Sequence, residues 1–156
     1  MLVALHTKKK IQVSILFLLM GVGPLCFGQE AEKEAIKQVV MQETDSYLGV
    51  DQNAWFETWM HVPYAYWSFS TKEGTQFVDG WDNIQKTFDE YFKTQKPSRS
   101  KVTYAWQEIR VYGNGAYVRF RERADDNHSV EVTDQIRVLE KKDGKWKMVC
   151  MSAVVE

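Results

Sequence analysis

From Val102 to Val155 the chain alternates apolar and polar residues almost without interruption, and short turn sequences divide it into four segments. A period of two is the pattern of a strand with one buried face. Asn114-Gly115 and Asp143-Gly144 are hairpin signals, because these residues tolerate the positive φ that tight hairpin turns demand. Four strands joined this way form an antiparallel meander. Val102, Tyr104 and Trp106 share one parity, whereas Ile109 and Val111 share the other. Such a switch inside one strand predicts a β-bulge, which bends the sheet. A bent sheet has a concave side that something must fill.

The later strands extend the pattern. Ala116, Val118 and Phe120 alternate with Tyr117, Arg119 and Arg121, and Val130, Val132, Ile136 and Val138 form another apolar row. Arg119, Arg121 and Arg123 are expected on a solvated face or at a dimer rim. The last segment, Trp146 to Val155, is apolar on both parities. That predicts cover on both sides of the sheet: helices on one side and a second copy of the chain, in a homodimer, on the other.

The filling comes from the first half of the chain. Glu30 to Leu48 repeats apolar residues at Ala31, Ala35/Ile36, Val39/Val40 and Tyr47/Leu48, a helical stripe that Gly49 ends. Asp51 is placed to cap a second short helix carrying Ala54, Trp55 and Trp59, stopped by Pro63. Tyr64–Ser70 and Thr75–Val78 read as a small hairpin. A third helix runs from Trp81 to Thr94, with Trp81, Ile84, Phe88 and Tyr91/Phe92 on one side.

Trp55 to Ser70 reads WFETWMHVPYAYWSFS, with seven aromatic residues in its first fifteen. A run this rich in large flat side chains either fills a core or lines a ligand site, since concave sites have apolar and aromatic walls. The expected wall is Trp55, Trp59, Tyr64, Tyr66, Trp67, Trp106 and Phe120, around a small apolar or aromatic molecule.

The first 28 residues read as a signal peptide. Lys8, Lys9 and Lys10 precede the apolar run Ile11 to Val22, then Gly23-Pro24, and Cys26 and Gly28 suit cleavage before Gln29. An apolar run of 12 residues is too short to span a bilayer, so an exported, periplasmic or secreted protein without a stable membrane anchor is expected. The remaining 128 residues suffice for one domain, residues 29–156. They carry 17 basic and 21 acidic residues, a balance that argues against nucleic acid. Cys150 is their only cysteine, so no intrachain disulfide is expected. His61 and His128, 67 positions apart, offer no metal-ligand spacing. Neither metal nor cofactor is expected.

Asp51 with Trp55 and Trp59, the segment Gly80-Trp81-Asp82-Asn83-Ile84, Arg137-Val138-Leu139 and Asp143-Gly144-Lys145-Trp146-Lys147 occur in an order that resembles the nuclear-transport-factor-2-like superfamily. That superfamily includes SnoaL-like and ketosteroid-isomerase-like proteins. The resemblance spans Glu30 to Glu156. It implies a cystatin-like α+β cone: three N-terminal helices on a strongly bent antiparallel sheet, a hairpin between the second and third helices, and a pocket at the wide end. Such folds host isomerases, dehydratases and hydrolases as well as binding modules, so fold alone does not fix function.

Asp134 shares parity with Val130, Val132, Ile136 and Val138, so it is expected to point with them into the apolar interior, where desolvation raises a carboxyl pKa. The resemblance also places it where ketosteroid isomerases carry an acidic oxyanion-hole residue. Their general-base Asp falls on Trp67 and their oxyanion Tyr on Glu43, neither of which can serve in that role. Ser46-Tyr47 resembles the first-helix motif of scytalone-dehydratase-like proteins, but Leu48 stands where an acid should follow. The catalytic-histidine position of those proteins falls near Tyr104 or Trp106. Asp134, His61 and Tyr47 are the catalytic candidates of an enzyme. The leading expectation is a binding domain without chemistry.

Overall fold

The computed structural model describes residues 23–156. Lys8–Lys10 and Ile11–Val22 of the expected leader lie outside the described residues, and the expected processing point before Gln29 falls within the first helix. Three helices, α1 (Gly23–Leu48), α2 (Gln52–Thr58) and α3 (Trp81–Thr94), pack on one sheet of six strands. The strands are β1 (Tyr66–Thr71), β2 (Gly74–Asp79), β3 (Lys101–Tyr112), β4 (Gly115–Asp125), β5 (Val130–Lys142) and β6 (Lys145–Val155). None of the described helices is long and apolar enough to cross a membrane.

The sheet order is β2-β1-β6-β5-β4-β3. β3 to β6 form the expected antiparallel meander, but β1 lies parallel to β6. The sheet is therefore mixed, and the small hairpin extends it as a lateral flange. The expected bulge is present: Trp106 pairs with Phe120 and Glu108 with Arg119, leaving Gln107 without a partner. A second bulge, not foreseen, falls in β6, where Val138 pairs with Cys150 and Leu139 with Met148. Val149 is the extra residue and the inward parity changes there. Part of the two-sided apolar character of β6 thus belongs to a bend within one buried face. The β3–β4 turn is Gly113-Asn114, one residue earlier than expected, with Tyr112 paired to Gly115. Asp143-Gly144 turns as expected, both residues having positive φ.

Local chemistry sets the helix ends. The Asp51 side chain accepts a hydrogen bond from the Ala54 amide at 3.0 Å and caps α2. α1 buries Ile36 and Val40 against the sheet. One turn later its inward stripe becomes polar, at Glu43 and Thr44. α3 buries Trp81, Ile84, Phe88 and Phe92. Trp55 and Trp59, 0% and 1% exposed, fill the space between α2, α3 and the sheet. Trp55 lies 4.5 Å from Phe88 between ring centroids and 5.5 Å from Trp59. In the N-terminal half of α1, Glu32 takes hydrogen bonds from Lys141 and the Trp146 indole, each at 2.6 Å, and fixes α1 across the β5–β6 hairpin.

Candidate functional site

Bending the sheet away from the C-terminal half of α1 leaves a space between them. Leu48 and Tyr47 approach it from α1, Trp67 and Phe69 from β1, Glu122 from β4, Gln135 and Arg137 from β5. The enclosed volume is about 110 Å³. A larger depression of about 550 Å³ runs along α1 and α2 beside Gln38, Met41, Gln42, Asp45 and Asp51, but it is an open surface groove outside the cone's interior.

The interior is polar where it meets β5. Thr133, Gln135 and Arg137 are buried there. The expected direction of β5 is therefore reversed: the alternate residues Val130, Asp134 and Ile136 face outward, and Val130 and Ile136 are 51% and 37% exposed. Asp134 lies on the outer face, 3.2 Å from Arg121 on the neighbouring strand. It has no access to the interior, and the reason for assigning it catalytic work disappears. The sequence pattern identified an apolar face correctly, but that face is not the helix side. The inward row of β5 is polar because it meets Glu43 and Thr44 of α1.

His61 is also outside the cavity. Its ring stacks on Trp81 at 4.0 Å, and its Nε2 donates to the Phe56 carbonyl at 3.1 Å. It therefore satisfies the end of α2 and is solvent-exposed. Tyr47 alone among the three catalytic candidates reaches the cavity. It stacks on Tyr91 with centroids 4.5 Å apart, and burial pushes its phenol far above the ordinary value, so it stays a neutral donor.

The expected aromatic wall divides. Trp67 lines the cavity. Trp55 and Trp59 are core residues behind it. Phe120 is buried beside Trp106 at 5.0 Å, and Trp106 stacks on Tyr104. Tyr64 is 58% exposed and donates to Glu140 at 2.9 Å, while Tyr66 stacks against Phe77 at the outer edge. The seven residues do not form one wall.

The chemically informative residues are others. Glu43 accepts from the Trp55 indole at 2.8 Å through Oε1 and pairs with Arg137 at 3.2 Å through Oε2. Arg137 is 1% exposed; its Nη1 donates to the Ile136 carbonyl, and its guanidinium lies 5.4 Å from the centre of Phe120. Its Nε has no partner, nor do the Tyr104 hydroxyl and Gln135 Oε1. Glu122 accepts from Thr44 at 3.0 Å through Oε2. Burial holds its carboxyl above the ordinary value; the Arg137 guanidinium opposes that shift and Glu43 adds to it. Glu122 thus has the environment expected for Asp134. Its signal was legible: it continues the parity Val118, Phe120, Glu122.

No family model matches the chain, and no curated protein does. Solved structures do. An NTF-2 like protein of unknown function from Shewanella oneidensis superposes with a TM-score of 0.63 at 16% identity, over 79% of this chain and 98% of that one. An NTF2-like protein of unknown function from Shewanella baltica gives 0.60 at 20% identity, over 81% and 95%. A Nostoc punctiforme protein of unknown function with a cystatin-like fold gives 0.57 at 12% identity, over 80% and 90%. At these identities the likeness concerns architecture, and it extends over nearly the whole length of each relative. Helices on one side of a bent sheet, the inserted hairpin and the enclosed end together give this chain the nuclear-transport-factor-2-like fold.

Proposed function

We propose that the chain is a small-molecule-binding domain whose site is the interior cavity between α1 and strands β1, β4 and β5. One observation carries this reading. Gln135 and Arg137, 4% and 1% exposed, both line the cavity and both retain a polar atom without a partner. A buried polar group left unpaired costs about 1–3 kcal/mol. A small shift of either side chain would present its unpaired atom to a guest in the cavity. The flat apolar sides of Trp67, Phe69 and Tyr47 provide the matching apolar contact.

The alternative is an isomerase, dehydratase or hydrolase of the SnoaL-like or ketosteroid-isomerase-like type. It has less support, because catalysis needs two titratable groups converging on one substrate atom. Asp134 and His61 lie outside the cavity, and Glu43 is fully engaged by Trp55 and Arg137.

The test is a library of molecules of about three to six heavy atoms, screened by protein-observed NMR. Binders should shift the Trp67 indole and the amides of Thr44 and Gln135 together. Responses confined to the groove beside Gln38 and Asp51 would overturn the reading.

Two further features belong to it. The basic-then-apolar leader supports export, testable by fractionation and N-terminal sequencing of the processed protein. The outer face supports a homodimer. Ile136 and Val154, 37% and 49% exposed, lie on adjacent strands there, and Arg119, Arg121, Asp134 and Glu156 supply both signs of charge for a self-complementary contact. Ile136→Glu should convert a sedimenting dimer to monomer; a monomeric parent protein at micromolar concentration refutes the dimer.

A further inference from the structure

We propose that the interior cavity selects a small organic cation, a protonated primary amine with a short apolar tail, and that Glu122 is its counter-ion. The inference rests on the cavity being the binding site.

The charges of the lining point one way. Three carboxyl groups, Glu43, Glu122 and Glu131, face the space, against the single guanidinium of Arg137. Arg137 is ion-paired to Glu43; Glu122 forms no ion pair among the described residues, and the Arg137 guanidinium acts on it only through space. Thr44 occupies Glu122 Oε2, and Oε1 accepts no hydrogen bond from the described residues. Gln135, nine-tenths buried and with its amide oxygen also unpartnered, lies diagonally from Glu122, whose direct partner across β4–β5 is Thr133, and lines the same space. An ammonium group carries three donors and no acceptor. It matches the two acceptors, Glu122 Oε1 and Gln135 Oε1, and leaves the Arg137 Nε–H donor unserved. Trp67, Phe69 and Tyr47 complete a lining that suits a cation with a hydrocarbon tail, because aromatic faces attract cations.

An anion fits poorly. Two of the guanidinium nitrogens of Arg137 are already committed to Glu43 and the Ile136 carbonyl, and only Nε is unpartnered. An incoming carboxylate would also meet Glu122 and Glu131. Size restricts the guest further. A cavity of about 110 Å³ is below the roughly 150 Å³ that holds benzene, with its six heavy atoms, so the guest has about five heavy atoms or fewer.

The same geometry links binding to a proton. Glu122 is faced by Glu43, Thr44 and Tyr47 of α1, by Tyr104 of β3 and by Glu131 and Arg137 of β5. Burial favours its neutral form, and an ammonium beside it favours the ionised form. Binding then expels the carboxyl proton when the free protein holds one. Affinity for the cation should fall as pH drops through the Glu122 pKa, by up to tenfold per unit.

The experiment compares three probes of nearly equal shape, n-butylammonium, 1-butanol and butyrate, on the mature protein by NMR titration and calorimetry. The amine stays protonated between about pH 5 and 8, as a lysine side chain does. The expected result is that n-butylammonium binds at least tenfold tighter than 1-butanol, and that butyrate binds weakest. E122Q should abolish the amine's advantage while 1-butanol binding persists. Equal or tighter binding of 1-butanol or butyrate to the parent protein overturns the cation assignment while leaving the cavity as the site. An amine preference that survives in folded E122Q removes Glu122 from the role. If no probe shifts the Trp67 indole, the cavity reading falls and the assignment falls with it. The three-probe comparison on the parent protein keeps the proposal testable should E122Q fold poorly.

Discussion

Glu43 on α1 and Arg137 on β5 are 94 positions apart and form a 3.2 Å ion pair with side chains 5% and 1% exposed. The pair sits at the base of the cavity, where it joins the first helix to a central strand. Its cost is desolvation of both charges, offset by the Trp55 indole on Glu43 and the Ile136 carbonyl on Arg137. The cone is therefore held at this point by a polar contact among the other buried polar residues of α1 and β5, Thr44, Thr133 and Gln135.

That arrangement predicts an asymmetry between single and double substitutions. Glu43→Leu or Arg137→Met alone should destabilise by about 3–5 kcal/mol, since each strands one buried charge. The double variant should recover most of that loss. Urea denaturation of the three proteins checks it, and equal losses in singles and double would show that the pair contributes only packing.

The Glu122 carboxyl gives a pH dependence of defined sign. Its folded pKa is raised by burial above the ordinary 4.5. The folded state holds the proton more tightly than the unfolded one, so this group's contribution is fully present below about 4.5 and is lost as pH rises through the folded pKa. Glu122→Gln should accordingly gain stability relative to the parent as pH rises from about 4 to 7. A flat difference across that range would contradict the buried, proton-retaining carboxyl.

Trp55 and Trp59 should behave as core residues and Tyr64 as a surface one. Replacing either tryptophan by Ala should cost about 3–5 kcal/mol. Tyr64→Phe removes only an exposed hydrogen bond to Glu140 and should stay within about 0.5 kcal/mol. Thermal melts of the three variants separate the two roles.

Asp134→Asn should leave cavity binding unchanged and cost no more than about 1 kcal/mol, the range of an exposed ion pair. High salt should shrink that difference. Loss of ligand response at the Trp67 indole in this variant would return Asp134 to the site.

At the helix start, Asp51→Ala should destabilise by about 1 kcal/mol and Asp51→Asn by much less, because Asn can still accept from the Ala54 amide. Denaturation midpoints at constant slope are the readout.

Local patterns carried most of the architecture. The stripe Trp81, Ile84, Phe88 and Phe92 marked α3 with both of its ends, Asp51 marked the start of α2, and the parity change after Trp106 marked the bulge, because each is set by neighbours a few residues away. The turn at Gly113-Asn114 was displaced by one residue, since Asn114-Gly115 and Gly113-Asn114 are chemically near-equivalent hairpin turns. The parallel pairing of β1 with β6 left no local trace, because it joins Tyr66 to Cys150 across the intervening α3 and meander.

Period-two alternation reveals that β5 has two unlike faces, but it cannot say which one the helices cover. Tertiary packing decided that. It turned Thr133, Gln135 and Arg137 toward α1 and left Val130, Asp134 and Ile136 outside. The sequence determined the elements, their order and the bend, because these follow from backbone preference and the burial of one face. Only the folded chain decided the site, because it is made of charges that neutralise or constrain one another across long sequence separations: Glu43 with Arg137, and Thr44 with Glu122, 78 positions apart.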